Sequence, residues 1–133
     1  KPFGKALAEN QAIQWPLVEL STQAEMLRLL IRKTAWQMDH MEHKEIERQI
    51  SDKVSMCNYW ANRLVCEAAD RAMQVHGGIG YSRHKPFEHI YRHHRRYRIT
   101  EGSEEIQIRK VAAYLFGYAG PKRREFEALG IKA

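Results

Sequence analysis

Two long stretches of this chain place an apolar residue at every third or fourth position, and that rhythm limits the fold more than any other feature. In the first, Ile13, Leu17, Leu20, Ala24, Leu27, Ile31, Ala35 and Met38 alternate spacings of four and three almost throughout. In the second, Ile46, Ile50, Val54, Cys57, Ala61, Leu64, Ala68, Ala72 and Val75 keep the same beat. A period near 3.6 gathers such residues on one side of a helix, whereas a strand would need alternation by twos. The spacing predicts helices over about residues 5–39 and 45–75. Pro16 should kink the first helix or restart it, since proline removes one backbone hydrogen bond. Gly77 and Gly78 should close the second. The short polar link around His40–Lys44 makes the two helices antiparallel neighbours.

The remaining elements follow from punctuation. Residues 76–86 form a glycine-rich loop, Pro86 starts a shorter helix over about Phe87–Ile99, and a final helix begins after Ser103. Ser103 suits an N-cap, and Glu104 and Glu105 suit the positive end of a helix dipole. Gly117 and the Gly120–Pro121 pair stop that helix, leaving Lys122–Ala133 as a tail with at most a weak turn. No strand pattern or internal repeat is visible. The expected fold is all-α, an up-and-down four-helix bundle over residues 1–120 with a tail over 121–133.

Size and composition agree with one soluble domain: 133 residues, 44% hydrophobic and 29% charged. No apolar run approaches the roughly 20 residues needed to cross a bilayer. No secretory signal pattern is visible, and the chain opens on Lys1 without an initiator methionine, so it reads as a fragment whose upstream domains are absent. Cys57 and Cys66 are nine residues apart in one predicted helix. At about 1.5 Å rise per residue they cannot bridge, and they read as small buried apolar residues in a reducing compartment.

The net charge of +6 is concentrated: residues 83–98 hold six Lys or Arg against Glu88 alone. Within that stretch His89 and His93 have a chelating spacing, but no third or fourth ligand accompanies them and the arginines repel a cation, so no metal site is expected. YRHHRRYR interleaves tyrosines with arginines as backbone-tracking surfaces do. No nucleic-acid motif accompanies it, and a solvated basic face or a site for an anionic ligand explains it as well. A basic helical module that binds a polyanion is the competing functional reading. The QVHGGIGY loop follows a helix rather than a strand, so it is no dinucleotide fingerprint. Its glycines serve either as caps or as places where backbone approaches a ligand closely.

Three blocks together carry a family likeness: FGKALAENQAIQWPLVE at 3–19, QVHGGIGYSRHKPFEHIYR at 74–92 and ITEGSEEIQ at 99–107. In this order and spacing the sequence resembles the C-terminal domain of the acyl-CoA dehydrogenases, flavoenzymes that desaturate acyl-CoA thioesters. The resemblance covers about residues 1–118. It implies that Glu101 is the base that removes the α-proton while the β-hydrogen leaves as hydride to flavin N5. It implies further that Gly102 lines the substrate pocket, and that Ser103, Glu104 and Glu105 line the adenosine diphosphate part of FAD. Gln11 and the loop residues Gln74, Val75, His76, Gly77 and Gly78 are implied as contacts to the FAD of a neighbouring subunit. A dimer or tetramer, an acyl-CoA substrate and an electron-accepting flavoprotein are the implied partners, with no nucleic acid. The implied compartment is the bacterial cytoplasm or the mitochondrial matrix, and the fragment alone is expected to be inactive. Glu105 departs from the neutral glutamine that many members carry, and a carboxylate beside a pyrophosphate is electrostatically awkward. An inactive relative that serves only in assembly is the remaining alternative.

Overall fold

The computed structural model describes residues 4–131, and all the regular structure among them is helical. Phe3, the first residue of the FGKALAENQ block, and Lys132–Ala133 of the tail lie outside the described residues. Asn10 decides where the first helix begins. Its side-chain carbonyl accepts from the Ala12 amide at 2.9 Å, so α1 runs from Gln11 to Asp39, preceded by a 3-10 turn at Leu7–Glu9. The expected start near residue 5 is therefore six residues early. Pro16 lies in the second turn of α1, and the helix continues through it without a restart.

One helix was expected over 45–75, but two are found. Short α2, His43–Gln49, is separated from α3, Ser51–His76, by Ile50, whose φ of −130° and ψ of 13° leave the helical region. Ser51–Asp52, a pair that favours helix starts, follows the break. Ile50 itself is buried, 5% exposed, so the apolar stripe survives the interruption. One further turn, α4 (Gly78–Tyr81), occupies the glycine loop, followed by α5 (Phe87–Tyr97) and α6 (Glu104–Leu115). The tail is more ordered than a weak turn. Its α7, Pro121–Ala128, starts with proline in its first turn, where the missing amide costs nothing.

The four longer helices are α1, α3, α5 and α6, and α3 is the hub against which the other three pack. Thr34 on α1 meets Cys57 on α3, Sγ to Oγ1 at 3.7 Å. Phe87 packs against His76 with ring centres 4.6 Å apart, His94 bonds Asn62 at 3.2 Å, and Glu104 meets Arg63. Farther on, Tyr114 reaches the Glu47 carbonyl. The partners step back along α3 to α2 as the chain advances, so α5 and α6 follow one another along α3 with the Arg98–Ser103 break between them. Leu64, Cys66 and Ala69 are the buried side chains of α3 at that level.

Burial on α1 falls on Leu27 and Thr34, whereas Ile31, Ala35 and Met38 of the expected stripe are exposed. The inward face is thus rotated by about one residue from the apolar maximum. A second apolar line, Trp15, Val18, Met26, Leu29 and Trp36, faces outward with each side chain about 60% exposed. Both cysteines are free, Cys66 buried and Cys57 half-buried. No helix among the described residues is long and apolar enough to cross a membrane.

Candidate active site

The break between α5 and α6 is built around one unusual residue. Glu101 has φ +59°, the one positive φ at a non-glycine position among the described residues. A left-handed conformation costs an L-residue about 1–2 kcal/mol, and such strain persists only where the surroundings fix it. Gly102 follows at φ +87°, which glycine adopts without that cost. A Cβ there would stand 2.9 Å from Gln107 Nε2. That amide donates at 3.4 Å to the carbonyls of both Glu101 and Gly102, bracing the corner from inside. The Glu101 side chain is left exposed.

Ser103 is the N-cap of α6, as expected, but its side chain makes no capping hydrogen bond. Glu104, one residue on, is 7% exposed and points inward. Its Oε1 accepts from the Arg63 guanidinium, with Nε at 3.1 Å, and its Oε2 accepts from Arg98 Nε at 2.7 Å. Its amide donates to the Arg98 carbonyl at 3.0 Å. Burial pushes the Glu104 carboxyl up, but the two guanidiniums outweigh it and hold the group below the usual carboxylate range. Both hydrogen-bonding functions of Glu104 are thus spent within the chain. Glu105 by contrast is exposed, and the Ser103 hydroxyl beside it favours its ionised form. Arg63, Arg98 and Gln107 are the members of this site that spacing does not reveal. Arg63 falls in α3 with no motif around it, and Arg98 is hidden in the basic run.

The other expected contacts gather elsewhere. Gln74, His76, Gly77 and Gly78 are exposed at the end of α3, with Val75 half-buried. Arg63 lies fourteen residues before Gly77, so at about 1.5 Å per residue the two groups are separated by about 20 Å along α3. By helix register Gln11 falls at the same end of the domain as the second group. It precedes Thr34 by 23 residues, and the same distance beyond Cys57 in antiparallel α3 is the Gly77–Gly80 turn. The glycines of that turn differ in their reasons. Gly77 needs its φ of +62°, and Gly80 needs space, since a Cβ would stand 2.6 Å from the Met73 carbonyl oxygen. Gly78 needs neither, because nothing lies within 4 Å of its missing Cβ.

Among the described residues no group of three or more His, Cys, Asp or Glu is arranged to hold a metal. Beside α5 an open groove of about 900 Å³ is lined by Arg83, Lys85, Arg92 and Arg96, with Glu88, His89 and His93 among them.

Residues 1–116 match the acyl-CoA dehydrogenase C-terminal domain. The chain belongs to the acyl-CoA dehydrogenase family. It is 36% identical over 110 residues to the probable acyl-CoA dehydrogenase FadE2 of Mycobacterium tuberculosis, covering 83% of this chain and 26% of that protein. It is 34% identical over 116 residues to the (R)-benzylsuccinyl-CoA dehydrogenase of Thauera aromatica, covering 86% and 27%. The CarC subunit of the caffeyl-CoA reductase–Etf complex of Acetobacterium woodii is 30% identical over 115 residues, covering 86% and 29%. This acyl-CoA dehydrogenase domain therefore spans between a quarter and a third of the length of these curated relatives. The family is one of oxidoreductases whose members are generally flavoproteins.

Proposed function

We propose that this domain supplies the proton-abstracting base and part of the flavin-binding wall of an FAD-dependent enzyme that desaturates an acyl-CoA thioester. The observation that carries the proposal is Glu101, an exposed carboxylate on a left-handed corner fixed from both sides. Thioester α-protons are weakly acidic, so a base must stand within hydrogen-bond reach of the carbon it deprotonates. Holding the carboxylate on a strained, braced corner directs it before substrate arrives. Bound FAD would accept the β-hydrogen with its electron pair. Glu101 is open to solvent in this domain, so the walls that exclude water from its carboxylate belong to the rest of the enzyme.

The residues present fit FAD at two places. Gly77 and Gly78 offer exposed backbone with open space above each missing Cβ. At the head of α6, Ser103 is the residue free to approach a phosphate, while Glu104 contributes by holding the turn. The exposed, ionised Glu105 would face away from the phosphate rather than toward it. Because the two places are about 20 Å apart along α3, we assign Gln11 and Gln74–Gly78 to a neighbouring subunit's FAD. The outward line of Trp15, Val18, Met26, Leu29 and Trp36 supports such an oligomer, since apolar side chains at helical spacing favour a protein partner over water. The CarC relative, named as part of an Etf complex, supports an electron-accepting partner protein. Relatives named for benzylsuccinyl-CoA and caffeyl-CoA share this domain at similar identity, which supports acyl selection by segments outside it.

A second reading rests on the basic groove, whose Arg83, Lys85, Arg92 and Arg96 have no carboxylate partner within 4 Å among the described residues. Purification decides between the two. The full-length protein should be yellow, carry stoichiometric FAD, and reduce a dye acceptor when given an acyl-CoA, while the 133-residue chain alone should not. Colourless protein with strongly salt-dependent DNA binding would favour the polyanion module instead.

A further inference from the structure

Residues 98 and 104 are stitched together twice, once through the backbone at 3.0 Å and once through side chains at 2.7 Å. Glu101 lies midway between them. The same Glu104 carboxylate is also gripped by Arg63 of α3, and Arg63 is itself seated beside the rings of Tyr59 and Trp60, 5.5 and 5.4 Å from their centres. The corner that bears Glu101 is therefore tied to the most buried helix of the domain by a carboxylate that no proposed chemical step uses. Planar guanidinium groups bonding a carboxylate fix direction as well as distance.

We infer that Glu104, clamped between Arg63 and Arg98, is a positioning residue for proton abstraction: it holds Glu101 in its left-handed conformation and so aims the base. The inference rests on Glu101 being the base. Loosening the clamp leaves the Glu101 carboxylate chemically intact but lets its backbone relax toward the ordinary right-handed region. The base would then spend most of its time off line. Binding of the thioester, which depends on other surfaces, would change little.

The test uses the full-length holoenzyme with Glu104→Gln, and with Arg63→Lys as a second variant that keeps the charge but loses the fork. Each is assayed below its melting temperature with FAD content measured, using acyl-CoA that is protiated or deuterated at the α-carbon. The expected result is a kcat about 10- to 100-fold lower, a misplacement effect, with KM changed less than about threefold. The α-deuterium isotope effect on kcat should rise, and Glu104→Asp should recover part of the rate. A merely structural role would lower activity in step with FAD content and leave the isotope effect unchanged, and that outcome overturns the inference. If Glu104→Gln does not fold, Arg63→Lys decides alone: full kcat with an unchanged isotope effect overturns it. Glu101→Gln, run alongside, separates the two claims. Full turnover in that variant removes the base assignment itself, whereas an inactive Glu101→Gln beside a fully active Glu104→Gln removes only the positioning role.

Discussion

Tyr114 and Glu47, 67 residues apart in sequence, are joined by a hydrogen bond of 2.5 Å from the phenol hydroxyl to the main-chain carbonyl. It ties α6 to the short α2 beyond the Ile50 break. Burial and the nearby Asp52 carboxylate raise the Tyr114 hydroxyl above its usual range, so it stays a donor at neutral pH. Tyr114→Phe keeps the ring and removes the donor. We expect a loss of about 1 kcal/mol, the usual net worth of one such bond, read from the urea midpoint of this chain. An unchanged midpoint would mean that α2 is held by other contacts.

The glycine turn after α3 separates folding from ligand approach. Gly77→Ala should cost about 1 kcal/mol because an L-residue must take up φ +62° there. Gly80→Ala should cost about 1–3 kcal/mol, since its Cβ would press on the Met73 backbone. Gly78→Ala meets nothing within the chain, so the domain's melting temperature should hold. In the full-length enzyme the same Gly78→Ala should weaken FAD retention, measured as bound flavin after gel filtration. Full flavin content there would leave Gly78 without the assigned role.

Acid should loosen the Glu104 clamp only below the ordinary carboxylate range. The folded carboxyl titrates below its ordinary value of 4.5, so its stabilisation is complete above that pH and is lost as pH falls through the lower folded value. Glu104→Gln, losing hydrogen bonds between charged groups, should be less stable than wild type by about 1–3 kcal/mol at pH 7. The gap should be constant from pH 7 down to about 5 and close at lower pH. Melting curves at pH 7, 5, 4 and 3 check this, and a gap that widens on acidification contradicts it.

Much of this was readable in the residues, for reasons that also explain the rest. The helical rhythm located α1 and α3, because burial on one side leaves a periodic trace in hydropathy, and Pro86 and Ser103 marked the starts of α5 and α6. It missed the Ile50 break because Ile50 is apolar and in phase, so the stripe passes through the interruption unmarked. It missed the Asn10 start because one capping side chain leaves no period. It also misjudged the inward face of α1, since Thr34 packs inside by bonding the Leu30 carbonyl at 2.8 Å while Ile31 faces out. At the site, Glu101, Gly102 and Ser103 were legible as a motif. Arg63, 41 residues before Glu104, was not, because nothing local announces a long-range ion pair.

The outward apolar line on α1 should behave as an interface. Leu29→Glu in the full-length protein touches no core, Leu29 being 58% exposed. We expect each subunit to keep its helical content while the assembly dissociates to smaller species, read by light scattering after chromatography. An unchanged mass would place the subunit contact elsewhere.

If Glu101 takes the α-proton, rapid-mixing reduction of the enzyme's flavin by an acyl-CoA should depend on its carboxylate. Glu101→Gln preserves the size of the side chain and removes the base. The variant should keep full FAD content and normal acyl-CoA binding, with a reduction rate lower by about 10²–10⁴-fold, the range a positioned general base contributes. Flavin bleaching in Glu101→Gln at the wild-type rate would contradict this role for Glu101.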